Sequence, residues 1–217
     1  MDERPMTRRP PAWERISRRI LDILGAGLTL LVTAPALLTI ALWVRLDSSG
    51  PALLRQERIG HDGQPFTLLK FRSMRIGGDD RAHRELIAAE LRGEVVATNG
   101  STKLGDDPRI TRAGRFLRRT SLDEVPQLLN VLRGEMSLVG PRPCLPWEAE
   151  MFPAEFAARF TVRPGLTGLW QVNGRSAVGT LDMLELDMDY VRNRRLRLDL
   201  RILLLTIPSL LRGGGSR

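Results

Sequence analysis

From Ile23 to Val44 the chain carries no charged residue. No other feature narrows the possible folds as much, because about 20 apolar residues suffice to cross a bilayer core. A cleaved signal peptide has an apolar run of only about 7–15 residues, so this one is too long. A buried helix of a soluble core remains the other reading. Arginines flank both ends of the run: Arg15, Arg18 and Arg19 precede it, and Arg45, Arg55 and Arg58 follow it. Positive residues stay on the cytoplasmic side, so both ends are drawn to one face. A straight span cannot satisfy that, whereas a helix that enters and turns back can. Pro35 lies near the middle, where its missing N–H breaks the helical ladder.

The second constraint is Arg118-Arg119-Thr120-Ser121-Leu122-Asp123-Glu124-Val125-Pro126-Gln127-Leu128-Leu129-Asn130. Val125, Leu128, Leu129 and Leu132 have helical spacing, and Pro126 fits a first turn, so a helix is expected to start at or near Asp123. Asp123 and Glu124 then sit at its N-terminus, where free N–H groups favour ionised carboxylates. Ser121 with Glu124 also fits a capping box, and the pair alone does not separate a cap from a catalytic site. Downstream, Pro141 and Pro143 fix the backbone on both sides of Arg142, which suits a guanidinium held for phosphate. A rigid arginine beside an ionised pair points to an anionic substrate, with a divalent cation, Mg2+, held by Asp123 and Glu124 to offset repulsion.

Composition supports this without deciding it. The chain has 217 residues, a formal charge of +8 and a pI near 11.1, and lysine occurs only at Lys70 and Lys103. Such a surface suits phosphorylated substrates, anionic lipid headgroups or nucleic acid. Aromatics make up only 5%, which argues against base stacking, so no nucleic-acid partner is expected. The single Cys144 excludes an internal disulfide, and no cysteine or histidine spacing suits zinc.

The two motifs, Leu117-Arg118-x-x-Ser121-Leu122-Asp123-Glu124-x-Pro126-Gln127-Leu128 and Met136-Ser137-x-Val139-Gly140-Pro141-Arg142-Pro143, resemble the monotopic phosphoglycosyl transferases, the bacterial sugar transferases. The likeness continues in Lys70-Phe71-Arg72-Ser73-Met74 and in the run from Arg163 to Arg175, and so covers nearly the whole chain. It implies transfer of a sugar-1-phosphate from a UDP-sugar to polyprenol (undecaprenyl) phosphate at the cytoplasmic face of a bacterial inner membrane. It implies Asp123 as nucleophile, Glu124 as its partner, and a re-entrant helix–break–helix dipping into one leaflet. Lys70, Arg72, Arg118, Arg142, Arg163 and Arg175 are the substrate-binding candidates, and Asp187 matches a family aspartate. Relatives carry Ser-Pro at the break where this chain has Ala34-Pro35; Thr33 can replace the lost hydroxyl by bonding a carbonyl of the preceding turn.

The expected fold is α+β and mostly α, a compact membrane-associated domain with a small β-hairpin and interfacial helices. Residues 1–47 form the basic segment and membrane helix, 48–212 the catalytic domain, and 213–217 a disordered tail. Leu53–Ile59 and Phe66–Phe71 around Asp62-Gly63 read as the hairpin, placing Lys70 and Arg72 on one side. Residues 79–92 read as a polar helix, 93–108 as a loop, and 109–119 as a helix with Arg112, Arg115 and Arg119 on one face, toward headgroups, nucleotide or solvent. An amphipathic helix at 147–160 is interrupted at Pro153, an extended piece holds Trp170, and a helix runs from Leu181 to Asn193. Leu196 to Leu211 is either an interfacial or a core helix. Two alternatives stay open: direct transfer with the acidic pair as general base, and a non-enzymatic basic module for membrane or nucleic acid. The sugar, the pathway and the oligomeric state are not legible.

Overall fold

The computed structural model describes residues 11–75, 81–94, 109–173 and 179–211. The expected tail at 213–217, most of the 93–108 loop and Arg175 lie outside the described residues. The element order is α1 (Ala12–Asp47), β1 (Leu53–Ile59), β2 (Pro65–Phe71), α2 (Arg81–Leu91), α3 (Arg112–Thr120) and a 3-10 turn (Leu122–Gln127). Then come α4 (Leu128–Arg133), β3 (Ser137–Val139), α5 (Pro146–Met151), a 3-10 stretch (Ala154–Thr161), β4 (Gly165–Thr167), α6 (Leu169–Asn173), α7 (Thr180–Asn193) and α8 (Leu196–Leu211). The mostly helical α+β expectation holds, and so does the hairpin. β1 and β2 pair antiparallel from Leu53↔Phe71 to Ile59↔Pro65, with Asp62 and Gly63 both at positive φ in the connection.

The 36-residue α1 is long and apolar enough to cross a membrane. It runs through Pro35 as one helix, so the expected helix–break–helix is not seen as an interruption. Two hydroxyls take up carbonyls around the proline: Thr33 Oγ1 donates to the Thr29 carbonyl at 2.7 Å, as its sequence position suggested, and Thr39 Oγ1 to the Pro35 carbonyl at 3.1 Å. Both ends of α1 are fastened to the same body. Near the start, Arg18 Nε donates to Asp199 of α8 at 2.6 Å, and Arg19 donates to the Val131 and Leu132 carbonyls that close α4. Asp22 accepts from the Ser137 hydroxyl and the Leu138 N–H of β3. Near the end, Ile40 and Val44 bury against Phe71, Ala113 and Leu117, and Asp47 accepts from the Ala113 N–H at the start of α3. Between these anchors the outer face is bare, with Leu31, Val32 and Leu38 each more than 70% exposed. Unpaired apolar surface of this extent belongs against something other than water.

The main core gathers Ala26 of α1, Leu68 of β2, Leu128 and Val131 of α4, Met136, Leu138 and Val139 around β3, Tyr190 and Val191 of α7, and Ile202 of α8. The opposite side of α8 leaves Leu200, Leu204 and Ile207 exposed, so that helix is a core element on one face and a free apolar stripe on the other. The α3 arginines 112, 115 and 119 are exposed together, next to Phe116, whose ring lies 5.5 Å from that of Trp43.

Two local expectations are corrected. The acidic stretch opens as a 3-10 turn, and Ser121 has φ 56 with no side-chain capping bond, so the capping box does not form. Its left-handed backbone instead ends α3 and turns the chain sharply into the next element. Trp170 is helical, in α6, and the extended piece is only Gly165–Thr167. That piece pairs in parallel with β3, through Ser137↔Gly165 and Val139↔Thr167.

Candidate active site

Asn130, fully buried in α4, sets the position of the acidic pair. Its Oδ1 accepts from the Leu69 N–H at 3.1 Å, and its Nδ2 donates to the Thr67 carbonyl at 2.7 Å. One side chain thus ties α4 to the free edge of β2, and the 3-10 turn in front of α4 lies over the hairpin. Asp123 and Glu124 therefore face a cleft whose floor is one face of that hairpin: Arg58, Leu68 and Lys70. Leu54 pairs with Lys70 and Arg58 with Phe66, so alternation puts both cations on the inner side. Arg118, from the last turn of α3, closes a third side and touches Met74 Sδ at 3.4 Å.

The fourth side comes from the two glycine motifs. Gly140 follows β3 and Gly165 begins β4, and a Cβ on Gly165 would sit 2.0 Å from the Gly140 nitrogen. Only glycine permits that approach. The Gly165 N–H donates to the Pro141 carbonyl and the Gly140 N–H to the Thr167 carbonyl. The chain then delivers Arg142 into the cleft, where its Nη1 lies 3.5 Å from Glu124 Oε1.

Charge crowding shapes the titration of this group. Burial and then Glu124 push the Asp123 carboxyl up to about 6, against the pull of Lys70 and Arg118. Burial and then Arg58 and Arg142 push the Lys70 ammonium down to about 8, against Asp123 and Glu124. The cleft thus holds a half-buried carboxylate titrating just below neutrality beside cations placed for a polyanion. Shifted groups of opposite sign meeting in a cleft are a functional signature.

The profile of the bacterial sugar transferases matches residues 13–213. The chain belongs to this family. It is 45% identical over 204 residues to the UDP-glucose:undecaprenyl-phosphate glucose-1-phosphate transferase of Caulobacter vibrioides, covering 90% of this chain and 70% of that protein. It is 42% identical to the exopolysaccharide production protein ExoY of Rhizobium meliloti, covering 93% and 88%. Against the galactosyl transferase CpsE of Streptococcus agalactiae it is 39% identical over 93% of this chain, but spans only 44% of the relative's length.

In this sugar transferase the expected site residues divide. Asp123, Glu124, Lys70, Arg118 and Arg142 meet at the cleft. Arg72 does not. It is 2% exposed and donates to the carbonyls of Val44 (3.2 Å), Ser48 (2.7 Å) and Ser49, closing the end of α1. Arg163 is exposed outside the cleft, close enough to Asp22 to act on its charge. Asp187 is buried behind the site, paired with Arg159 Nη2 at 2.7 Å. Sequence reasoning missed Arg58, Gln127 and Gln171, which also line the cleft. Arg58 was findable, since the hairpin register puts it on the inner face with Lys70. Gln127 stands in the quoted motif ending at Leu128 and Gln171 in the run from Arg163 to Arg175, but as neutral side chains they stand out less than the charged residues beside them.

Among the described residues no three His, Cys, Asp or Glu side chains converge as a metal cage. The donor set still fits magnesium, which takes one or two carboxylates and completes its shell with water and substrate phosphates. Asp123 and Glu124 are the two carboxylates that line the cleft.

Proposed function

We propose that this chain is a phosphoglycosyl transferase that moves a sugar-1-phosphate from a UDP-sugar to polyprenol phosphate, giving polyprenol-diphosphate-sugar and UMP. The observation that carries this reading is the acidic pair opening on a cleft lined by Lys70, Arg58, Arg118 and Arg142. A diphosphate meets cations on several sides there, and one carboxylate oxygen can approach its phosphorus.

In the first step an Asp123 oxygen attacks the phosphorus bearing the sugar. The bond from that phosphorus to the oxygen bridging to UMP breaks, and UMP leaves with the electron pair. In the second step a polyprenol phosphate oxygen attacks the same phosphorus and displaces the Asp123 carboxylate. Two displacements replace one difficult encounter between two anions. Arg142 grips phosphate oxygens in a fork, and Lys70 and Arg118 offset charge as it shifts onto the leaving group. Magnesium bound at Asp123 and Glu124 would supply further neutralisation of phosphate charge.

The elevated Asp123 also suits a general base near neutrality, so direct transfer, with the polyprenol phosphate attacking the UDP-sugar unaided by a covalent stage, is the second reading. Both readings are tested by giving purified protein polyprenol phosphate, magnesium and a panel of UDP-sugars and measuring UMP. Release with one sugar that Asp123→Asn abolishes supports the transferase. No release with any UDP-sugar contradicts it.

The enzyme works on the cytoplasmic face of the inner membrane as a monotopic protein. α1 is held to the catalytic body at both ends, with the bare face between its anchors against the acyl chains of one leaflet and the arginines of α3 against anionic headgroups. Both anchors of α1 lie on the catalytic body. A bitopic span would separate them by the roughly 30 Å of the hydrocarbon core.

A further inference from the structure

Behind Arg142 lies a buried ion pair whose chemistry is not explained by stability. Arg159 and Asp187 have side chains 2% and 1% exposed, and Arg159 Nη2 donates to Asp187 Oδ2 at 2.7 Å. The same Nη2 donates to the backbone carbonyl of Arg142 at 2.9 Å. The guanidinium lies over Phe152 and Phe160, with Cζ 5.0 and 5.3 Å from the ring centroids. It is thus held by two aromatic rings and by two acceptors on one of its nitrogens. The next carbonyl, that of Pro143, accepts from Arg58 Nη1 at 3.2 Å, and Arg58 in turn lies 3.6 Å from Glu148.

A buried ion pair rarely outperforms an apolar pair of similar volume in stability. What an apolar pair lacks is a fixed donor. Pro141 and Pro143 lock two φ angles of this turn but leave the peptide planes after Arg142 and Pro143 to be set by what their carbonyls accept. We infer that Arg159 and Asp187 are positioning residues: Asp187 orients the Arg159 fork, and Arg159 fixes the Arg142 peptide so that the Arg142 guanidinium is presented to the donor diphosphate. This rests on the proposed role of Arg142 in phosphate binding. It gives Asp187 a task one residue removed from substrate.

The test is a double-mutant cycle on UMP release, with Arg159→Met/Asp187→Leu as one change and Arg142→Ala as the other. The paired substitution keeps volume and removes both charges, so the fold is retained, checked by thermal unfolding. The expected result is a fall in kcat/KM of about 10–100-fold, the scale of a displaced binding group, expressed mainly as a higher KM for the UDP-sugar. In the Arg142→Ala background the same paired change has no further effect. An equal loss in both backgrounds, or wild-type kinetics for the paired variant, overturns the inference. Wild-type kinetics for Arg142→Ala instead sinks the site reading beneath it. If the paired variant does not fold, Arg159→Lys replaces it: the positive charge stays, but the shorter side chain does not carry its nitrogen to the Nη2 position from which Arg159 bonds both acceptors, and the same KM pattern and lack of effect without Arg142 are required.

Discussion

Lowering the pH from 7 to 5 is expected to reduce the first chemical step about tenfold. In the proposed mechanism Asp123 acts as an anion, and its carboxyl is pushed up to about 6 by burial and by Glu124. Being raised, it is protonated below that value and ionised above it, so activity is lost as pH falls. About nine-tenths of the enzyme carries the anion at pH 7 and about one-tenth at pH 5. A carboxylate at its ordinary value near 3.8 would lose less than a tenth of its charge over that interval. Lys70, pushed down to about 8 by burial and by its arginine neighbours, sheds its charge above that value, so an alkaline limb near 8 is expected as well. The assay is single-turnover UMP release from a UDP-sugar at limiting magnesium, quenched on the millisecond scale, because a cation saturating the acidic pair would itself draw the Asp123 carboxyl down. Glu124→Gln removes the second cause of the Asp123 shift, so its residual activity should show an acid limb displaced to lower pH. A wild-type rate that is flat between pH 7 and 5 would refute the link between the buried pair and the chemistry.

Three further outcomes are expected. Arg72→Met should cost about 3 kcal/mol or more in a denaturant titration, because three carbonyls lose a donor at roughly 1–3 kcal/mol each, while the KM for UDP-sugar in the folded fraction stays unchanged; a raised KM with unaltered stability would return Arg72 to the site. Excess chelator should abolish turnover and magnesium should restore it, since two adjacent carboxylates repel a diphosphate; full activity in chelator removes the cation from the mechanism. Single cysteines at Ala12 and Ser49, on the background of a buried Cys144, should be labelled from the same side of the membrane, and labelling from opposite sides would establish a bitopic helix.

What the sequence revealed, it revealed through local rules. The Asp62-Gly63 turn set the hairpin register, and alternation from there placed Lys70 inward. The arginine flanks of residues 23–44 pointed to both ends meeting one membrane face, and both ends of α1 do pack on one body. The acidic pair, Arg118 and Arg142 were legible as charged groups fixed by turns and prolines. What escaped depended on partners distant in the chain. β3 and β4 are three residues each and pair across more than twenty positions, leaving no periodicity to read. Arg72 looked like a strand cation beside Lys70, but it follows the strand's last residue and turns under α1, which no spacing rule anticipates. Ser121 looked like a cap because its neighbours fit one, yet the reversal between α3 and α4 demanded a left-handed residue there. Asp187 stood out as an acid on a helix; its counter-ion, Arg159, lies 28 positions away.

The central claim is a covalent stage on Asp123, and one measurement addresses it directly. Wild-type protein is given magnesium and UDP-sugar labelled in the sugar, without polyprenol phosphate, and is quenched rapidly. The covalent route predicts UMP up to one equivalent of enzyme, label retained on the protein, and neither with Asp123→Asn. If the wild type retains no label and UMP forms only when polyprenol phosphate is also present, transfer is direct and Asp123 serves as a base or metal ligand instead.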